Sequence, residues 1–235
     1  MLRLLTCLLF ALQVLRASGE CGGKCTPTPF KDLKLTYFNG IYYRVEFLRW
    51  ILAYKEVPYE YVAISSGWDD LKPQMPYGVL PVLEVNGKKL GQTVAIGRYL
   101  GQMLGLKFCG DKFDQAIMDM HVNGFMDFVG AADAARVAIR SGDQAQVEAA
   151  KEPVKTAGQD AFTMLEKRLQ EQDSGYFSCK LTWLDFYVAE WLNRLEDKFD
   201  STLLDQFPLL RAHHKRIAAL PTVDKYLKER PDYPI

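Results

Sequence analysis

The stretch Leu33-Lys34-Leu35-Thr36-Tyr37-Phe38, followed at once by Asn39-Gly40, decides the fold of this 235-residue chain. Its residues alternate with a period of two, which predicts a β-strand, and Asn-Gly predicts a turn directly after it. Further along, Gly78-Val79-Leu80-Pro81-Val82-Leu83 predicts a second strand entered through a proline, and Gln92-Thr93 opens an apolar helix. A tyrosine at a strand end, an X-Pro pair before a strand and a polar pair at a helix start together suggest a site that binds a thiol.

The region from Leu33 to about Leu104 mixes strands and helices. Asn86-Gly87 between two short strands is a strong signal for a type I′ hairpin. The order β-α-β-α-β-β-α predicts an α/β domain. The predicted strands are Leu33–Phe38, Tyr59–Ala63, Pro81–Val85 and Lys88–Leu90, and the helices with defined bounds are Val45–Tyr54 and Thr93–Leu104.

Beyond a short linker at Gly105–Gly110, the sequence predicts helices only. Thr182-Trp183-Leu184-Asp185 is a capping box at the start of one of them, so we interpret these residues, Trp183 included, as structural. The predicted helices are Asp114–Arg140, Gln146–Gln170, Thr182–Phe199, Pro208–Ala219 and Thr222–Glu229.

The composition is that of an ordinary globular protein, with 49% hydrophobic and 25% charged residues. Lysine and arginine (29) balance aspartate and glutamate (29), so no basic field indicates binding to nucleic acid or to anionic lipid.

Residues 1–19 have the features of a secretory signal peptide. Arg3 supplies a short positive region, Leu4–Leu15 is mostly apolar but short for a membrane span, and Ala17-Ser18-Gly19 offers small residues for cleavage. We therefore expect a secreted, extracellular protein that begins near Glu20, with a flexible extension over residues 20–31. An uncleaved anchor and a misassigned start are the alternatives.

Cleavage would leave four cysteines, Cys21, Cys25, Cys109 and Cys179, which allow three full pairings. Cys21 and Cys25 could form a local disulfide or stay as two free thiols on the extension. The sequence does not decide between these states.

From about Leu33 to Ile235 the chain resembles the glutathione transferase family, most closely its sigma class, which includes secreted invertebrate enzymes and glutathione-dependent prostaglandin D synthase. The resemblance implies a thioredoxin-like α/β glutathione-binding domain over residues 32–109. It also implies an all-α domain over residues 110–235, which holds the electrophile site and the contacts of a homodimer. The matching stretches are Lys34–Gly40, Leu80–Leu90, Gln92–Leu100 and Leu181–Asp185.

The resemblance makes Tyr37 the catalytic residue. A free thiol with a pKa near ~8.5 is only a few per cent ionised at neutral pH, and a pKa lowered by ~2 units corresponds to roughly 2.7 kcal/mol. A neutral tyrosine hydroxyl that donates to sulfur supplies such a preference for the thiolate. Taken alone, Tyr37 would be better explained as a half-buried strand tyrosine.

The remaining glutathione contacts follow from the same resemblance. The backbone around Val79, Leu80 and Pro81 pairs with the cysteinyl unit, with a cis bond before the proline, although a trans proline at a strand start is also common. Gln92 and Thr93 hold the γ-glutamyl carboxylate at a helix N-terminus, while Thr93 alone could be a plain N-cap.

Four further residues match family positions. Trp68 and Lys72 match contacts to the glycine end, and Arg44 matches a binding residue in the loop after the first strand. Asp127 matches an acid that reaches the glutathione amine across the dimer. Lys72 and Asp127 could instead be solvated charges.

The chain also departs from the family pattern. Ile41-Tyr42-Tyr43 carries one inserted residue, so the loop beside the thiol must differ. Asn123 and Met126 replace two acids that bind a divalent metal in some prostaglandin D synthases, so we predict no metal. Small side chains over Gly130–Ala135 predict a wide electrophile pocket, or else a helix that packs tightly against a neighbour.

We therefore predict a homodimeric glutathione transferase that uses glutathione as co-substrate to conjugate small hydrophobic electrophiles, with no nucleic acid and no membrane span. One alternative is isomerisation of prostaglandin H2 to D2. Another is a non-catalytic crystallin-like protein or ligand carrier. The physiological electrophile is not defined by the sequence.

Overall fold

The structure, a computed structural model, describes residues 30–231. Within this range a four-stranded mixed sheet has the order β2-β1-β3-β4. β2 lies parallel to β1, whereas β3 and β4 run antiparallel to their neighbours. Leu35 and Leu83 are partners in register and both are fully buried, so the sheet is packed at its centre. The strands are β1 (Leu33–Phe38), β2 (Glu60–Ile64), β3 (Val82–Val85) and β4 (Lys88–Gly91).

Helices complete the α/β half. A parallel pair of strands needs a crossover, and α1 provides it between β1 and β2. Asn86 and Gly87 both have positive φ (50° and 79°), as the predicted type I′ hairpin requires. The helices are α1 (Glu46–Tyr54), α2 (Trp68–Leu71) and α3 (Thr93–Met103), with 3-10 turns at Tyr43–Val45, Lys72–Gln74 and Pro76–Gly78.

In the second half of the described chain, all regular secondary-structure elements are helices. The prediction of a thioredoxin-like α/β domain followed by an all-α domain is therefore confirmed. The helices are α4 (Lys112–Ala131), α5 (Asp133–Ser141), α6 (Gln144–Gln170), α7 (Trp183–Lys198), α8 (Pro208–Ala218) and α9 (Pro221–Glu229).

One predicted helix is two helices. The segment predicted as Asp114–Arg140 is interrupted at Ala132, whose ψ of −4° departs from the helical value and which ends α4 and precedes α5. The break falls between an alanine and an aspartate, neither of which forces a helix to end. It turns Asp133 into the first residue of a new helix, beside the loop that follows β1.

Trp183 joins the two halves. It is 1% exposed and lies against α3, where a Cβ on Gly101 would come within 2.4 Å of its ring and one on Gly97 within 3.0 Å. Its backbone N–H donates to the Leu106 carbonyl at 3.0 Å. Two glycines thus allow the close approach of α3 and α7, in agreement with the structural role predicted for Trp183.

Asp185, the last residue of the predicted capping box, takes part in several buried hydrogen bonds. Its Oδ2 accepts from both the backbone N–H and the hydroxyl of Thr182, each at 2.7 Å. Its Oδ1 accepts from the Phe177 backbone N–H at 3.0 Å and lies 2.9 Å from Nε2 of His213. The Asp185 carboxylate has no exposed surface, and these contacts supply hydrogen bonds to both of its oxygens. They also fix the start of α7.

Cys109 and Cys179 form a disulfide, with Cα atoms 5.9 Å apart and a sequence separation of 70. It ties the segment after α3 to the loop before α7, and so settles one pairing that the sequence left open. The signal peptide predicted over 1–19 and the cysteines at 7, 21 and 25 lie outside the described residues. Across residues 30–231, no helix combines the length and the apolar character that crossing a lipid bilayer requires.

Candidate active site

Tyr37 lies near the end of β1 with 4% of its surface exposed. Its hydroxyl oxygen accepts a hydrogen bond from the backbone N–H of Arg44 at 3.3 Å. Burial raises the pKa of Tyr37 although the Arg44 hydrogen bond opposes the shift, so the phenol keeps its proton at neutral pH. Because its oxygen already accepts from Arg44, the hydroxyl proton is left to be donated elsewhere, as a thiolate would need.

Arg44 lies in the 3-10 turn between β1 and α1. The Val45 N–H donates to the Tyr42 carbonyl at 3.2 Å and closes this turn. The Arg44 guanidinium is exposed and stacks over the Tyr43 ring, with its carbon 5.2 Å from the ring centroid. The turn thus presents one backbone donor to Tyr37 and one cation to solvent.

A cavity of about 310 Å³ opens beside Arg44, between the two halves of the chain. It brings together three residues that the sequence predicted as glutathione contacts: Arg44, Gln92 and Thr93. Its other walls are side chains of three helices: Val94, Ala95 and Arg98 on α3, Asn123, Met126 and Val129 on α4, and Tyr187 and Trp191 on α7.

The start of α3 forms the polar end of this cavity. Thr93 is the first helical residue and Gln92 is the N-cap, so Thr93 is not the N-cap that its residue type would also fit. Gln92 has φ 67° and ψ 111°, a costly conformation for a residue with a side chain, and among the described residues it makes no side-chain capping bond. The N–H groups of the first turn and the helix dipole here favour a carboxylate.

The Leu80-Pro81 peptide bond is cis, as the resemblance implied. Leu80 and Pro81 are buried, while Val79 is 40% exposed and has an extended backbone (φ −136°, ψ 160°). Thr36 pairs with Val82, so one step further along the same antiparallel register Tyr37 lies opposite Pro81. An extended backbone beside the tyrosine can hold a peptide by strand-like pairing.

Trp68 and Lys72 lie next to the segments that carry Tyr37 and Val79. The Trp68 ring meets the Phe38 ring edge to face, with centroids 5.1 Å apart. The Lys72 side chain passes Gly78, where an added Cβ would lie 3.3 Å from its Cγ. Neither residue lines the cavity, and their contact with the glycine end of glutathione stays a prediction.

Asp127 points away from the cavity. It lines a separate groove of about 370 Å³ between α4 and α6, with Met120, His121 and Met164 among its neighbours. Asn123 and Met126, on the same helix, line the cavity itself. Asp127 therefore does not meet the other predicted contacts within one subunit, and its reach across a dimer stays a prediction.

The alanine-rich stretch Gly130–Ala135 does not form the pocket wall that we expected. Ala132 and Ala135 are fully buried, whereas Ala131 and Ala134 are exposed. Among the described residues, the α4 part of the wall comes from Met126 and Val129, one turn earlier. The buried Ala132 and Ala135 instead serve helix packing, which was the alternative interpretation.

Sequence reasoning missed two side chains of the cavity, Tyr187 and Trp191, and the partner of a third residue, Tyr43, whose loop was expected to add aromatic surface to the pocket. Tyr187 and Trp191 lie one turn apart on α7, but this helix is buried on most sides, so periodicity could not show which face meets the cavity. Tyr43 donates a hydrogen bond to Asp133, 90 residues away. The only sequence signal for this contact was that Tyr43 is an aromatic residue in an inserted loop.

Among residues 30–231 no group of three or more histidine, cysteine, aspartate or glutamate side chains lies close enough to hold a metal ion. The expectation of no metal stays a prediction.

Comparison with known proteins agrees with this geometry. Residues 33–102 match the family model described as glutathione S-transferase, N-terminal domain, and residues 132–230 match the one described as glutathione S-transferase, C-terminal domain. A probable glutathione S-transferase 6 of Caenorhabditis elegans is 32% identical over 86% of this chain and 98% of its own length. Human hematopoietic prostaglandin D synthase is 32% identical over 85% of this chain and 97% of its own.

Among solved structures, the monomeric glutathione S-transferase Na-GST-3 from the hookworm Necator americanus superposes with a TM-score of 0.79. It is 31% identical, and the match covers 87% of this chain and all of the hookworm chain (100%).

Proposed function

The chain belongs to the glutathione S-transferase family and is an enzyme of that kind, and we propose that it conjugates the glutathione thiolate to hydrophobic electrophiles, with the Tyr37 hydroxyl donating a hydrogen bond to the thiolate. The observation that carries this proposal is the Tyr37 hydroxyl, buried and held at its oxygen by the Arg44 N–H. A protonated phenol whose hydroxyl proton has no acceptor within residues 30–231 is suited to stabilise sulfur as the anion.

Glutathione would lie along the edge of the sheet that ends at Tyr37. Its γ-glutamyl carboxylate would meet the N-terminus of α3 at Gln92 and Thr93. Its cysteinyl unit would pair with the backbone around Val79 and Leu80, next to Pro81. Its glycine end would meet Trp68 and Lys72. The support for this orientation is that the extended Val79 backbone leads into β3, the antiparallel neighbour of the Tyr37 strand, and that the strained Gln92 backbone follows β4, the neighbour of β3.

The electrophile would lie against the helical walls of the cavity. Met126, Val129, Tyr187 and Trp191 give these walls a mainly apolar and aromatic character, while Arg44 and Arg98 add cations. Burial of apolar surface is worth roughly 25 cal/mol per Å², so ligands with a sizeable apolar portion should bind best.

We assign the chain to the sigma class on its sequence motifs and propose a homodimer. The groove between α4 and α6 supports a dimer, because Met120 (52% exposed) and Met164 (45% exposed) present apolar surface around Asp127. Tyr77, 85% exposed in a left-handed conformation (φ 55°), offers a second apolar surface on the sheet side. A two-fold dimer would bury both in self-complementary contacts and could bring Asp127 to the partner's glutathione.

We also propose that the protein is secreted. The Cys109–Cys179 disulfide supports an oxidising compartment, where such bonds persist. N-terminal sequencing of protein recovered from culture medium tests this, with a start near Glu20 expected. Retention inside the cell with Met1 intact would contradict it.

Isomerisation of prostaglandin H2 to D2 is the second candidate activity. The likeness to human hematopoietic prostaglandin D synthase favours it. Some such enzymes bind a metal through acids at the positions of Asn123 and Met126. The lack of acids at these two positions weighs against a metal-assisted isomerisation.

The test is to incubate purified protein and glutathione with aryl halides, lipid-derived enals, hydroperoxides and prostaglandin H2. Turnover of 1-chloro-2,4-dinitrobenzene is expected. Turnover of prostaglandin H2 alone would favour the isomerase, and tight ligand binding without any turnover would favour a non-catalytic carrier.

A further inference from the structure

Tyr43 connects the loop after β1 to both helices that face it. Its hydroxyl donates a short hydrogen bond to Oδ1 of Asp133, the first residue of α5. Its ring meets the Trp191 ring on α7 edge to face, with centroids 5.3 Å apart. Its backbone carbonyl accepts from Nη2 of Arg194, also on α7, at 3.4 Å. Tyr43 is 8% exposed, whereas the Asp133 side chain is 44% exposed, so the hydrogen bond between them lies at the edge of the buried region.

Asp133 is held as an acceptor. Arg136, one turn along α5, donates to it through Nε at 2.9 Å and Nη2 at 3.5 Å. The Arg136 guanidinium also lies over the Tyr43 ring, with its carbon 4.9 Å from the centroid. Partial burial opposes ionisation of Asp133, but the hydrogen bonds from Arg136 and Tyr43 outweigh it and lower its pKa. Asp133 is thus a carboxylate, and Tyr43 a neutral donor, across the neutral pH range.

Arg44, which directly follows Tyr43, is hydrogen-bonded to Tyr37. The Arg44 N–H reaches the Tyr37 oxygen at 3.3 Å, a long hydrogen bond that a small movement of the loop would break. This loop is one residue longer than the family pattern, so it needs an anchor to hold the Arg44 N–H in place. The Tyr43–Asp133 contact lies one residue from that N–H and is its anchor to the helical half.

We propose that the Tyr43–Asp133 hydrogen bond positions the Arg44 N–H against the Tyr37 hydroxyl and thereby tunes the ionisation of the bound glutathione thiol. Tyr43 and Asp133 are positioning residues, because they act through Arg44 and Tyr37. The inference rests on the proposed transferase function. Without the anchor, the Tyr37 oxygen loses its fixed donor, the hydroxyl can turn away from sulfur, and the thiolate is less stabilised.

Two other charged groups lie near the Tyr37 hydroxyl, and the variants must leave both unchanged. Arg44 belongs to the same loop, and Arg194 approaches from α7. Arg194 is itself paired with buried Glu190, at 2.9 Å between Nε and Oε1. Substitutions at Tyr43 and Asp133 that leave these groups in place isolate the effect of the anchor.

The experiment uses the full mature enzyme with Tyr43→Phe, Asp133→Ala and Asp133→Asn. The pKa of bound glutathione is read from the ultraviolet absorbance of its thiolate and from the pH dependence of kcat/KM, with thermal unfolding measured in parallel. Tyr54→Phe is the matched control. Tyr54 is also a tyrosine of the α/β half that packs on α7, and its ring centroid lies 5.2 Å from that of Phe186.

We expect Tyr43→Phe and Asp133→Ala to raise the thiol pKa by about 0.5–1 unit, roughly a threefold to tenfold loss of thiolate below that pKa. The KM for glutathione should change less than twofold. Asp133→Asn keeps an acceptor oxygen and should recover most of the loss, and Tyr54→Phe should leave the pKa unchanged.

An unchanged thiol pKa in Tyr43→Phe and Asp133→Ala, with only a lower unfolding temperature, would overturn the inference and leave Tyr43 as a packing residue. A wild-type enzyme that binds glutathione without lowering its thiol pKa would instead overturn the proposed function, and the inference with it.

Discussion

The backbone N–H of Arg44 donates to the hydroxyl oxygen of Tyr37 across 3.3 Å, and this contact joins the loop after β1 to the end of the strand. The contact uses the Tyr37 oxygen as an acceptor, and β3, which pairs with the Tyr37 strand, begins directly after the cis Leu80-Pro81 bond. The catalytic proposal therefore depends on a loop geometry as much as on the tyrosine itself, and the cavity beside Arg44 is the proposed place of the electrophile.

Met126→Trp should make the enzyme discriminate against large electrophiles. Met126 lines the cavity, so an indole there would remove space for a bulky substrate but less for a small aryl halide. If about 55 Å² of apolar contact is lost, the ratio of kcat/KM for large against small substrates should fall roughly tenfold. Ala134→Trp is the control, because Ala134 is exposed and outside the described walls. An equal fall for both substrates in Met126→Trp would show that Met126 does not limit the pocket.

Asp127→Ala should raise the KM for glutathione more than it lowers kcat, because the acid is proposed to bind the amine in a partner subunit and not to take part in the reaction. Asp160→Ala, which removes another carboxylate from the same groove, should leave KM unchanged. Light scattering should give twice the mass of the chain for both variants. A fully active monomer would refute the dimer and the role of Asp127 together.

Loss of the Cys109–Cys179 disulfide should destabilise the fold without removing the site. Opening a link across 70 residues costs about 4 kcal/mol in the loop-entropy model, which corresponds to roughly 10 °C in unfolding temperature. The measurement is thermal unfolding of the Cys109→Ser/Cys179→Ser double variant beside wild type with and without reductant. Activity at 25 °C should be kept. No change in unfolding temperature on reduction would mean that the bond is not formed in solution.

His214 should make stability depend on pH. Burial lowers the pKa of His214 from 6.5 to about 4, against the attraction of Glu196, whose Oε2 lies 2.9 Å from Nε2. Nδ1 has no hydrogen-bonding partner among the described residues, so a second N–H there would be unsatisfied, and Lys215 and His213 add repulsion.

A histidine whose folded pKa is depressed binds fewer protons folded than unfolded, so its contribution to stability is present above pH 6.5 and is lost as pH falls towards 4. The free energy of unfolding should therefore decrease between pH 7 and pH 5. Urea titrations of wild type and His214→Gln at both values measure it. The decrease should be smaller in the variant; equal decreases in both proteins would rule out His214 as the cause.

The sequence predicted the sheet well because its strands carry local signals. β1 has the bounds that alternation indicated, and Asn86-Gly87 is the turn that its residues favour. The break at Ala132 was missed because alanine and aspartate do not oppose a helix locally. The break comes with a tertiary contact, the bond from Asp133 to Tyr43.

The site was proposed from single residues that carry chemistry, Tyr37, Gln92 and Thr93, whose roles stay predictions. It was not predicted where distant helices supply the walls. Tyr187 and Trp191 belong to a helix that is apolar on nearly every side, so no periodic pattern could assign them to the cavity. The disulfide was left open for a similar reason, since only the packing of the two halves shows which cysteines meet.

The most direct test of the central claim is the pKa of glutathione bound to wild type and to Tyr37→Phe, titrated by thiolate absorbance. Loss of one hydrogen bond to sulfur should raise the thiol pKa by roughly 1–2 units in the variant and lower kcat/KM near neutral pH by about tenfold or more, while glutathione binding changes little. The same thiol pKa in both proteins would contradict the assignment of Tyr37 as the residue that stabilises the thiolate.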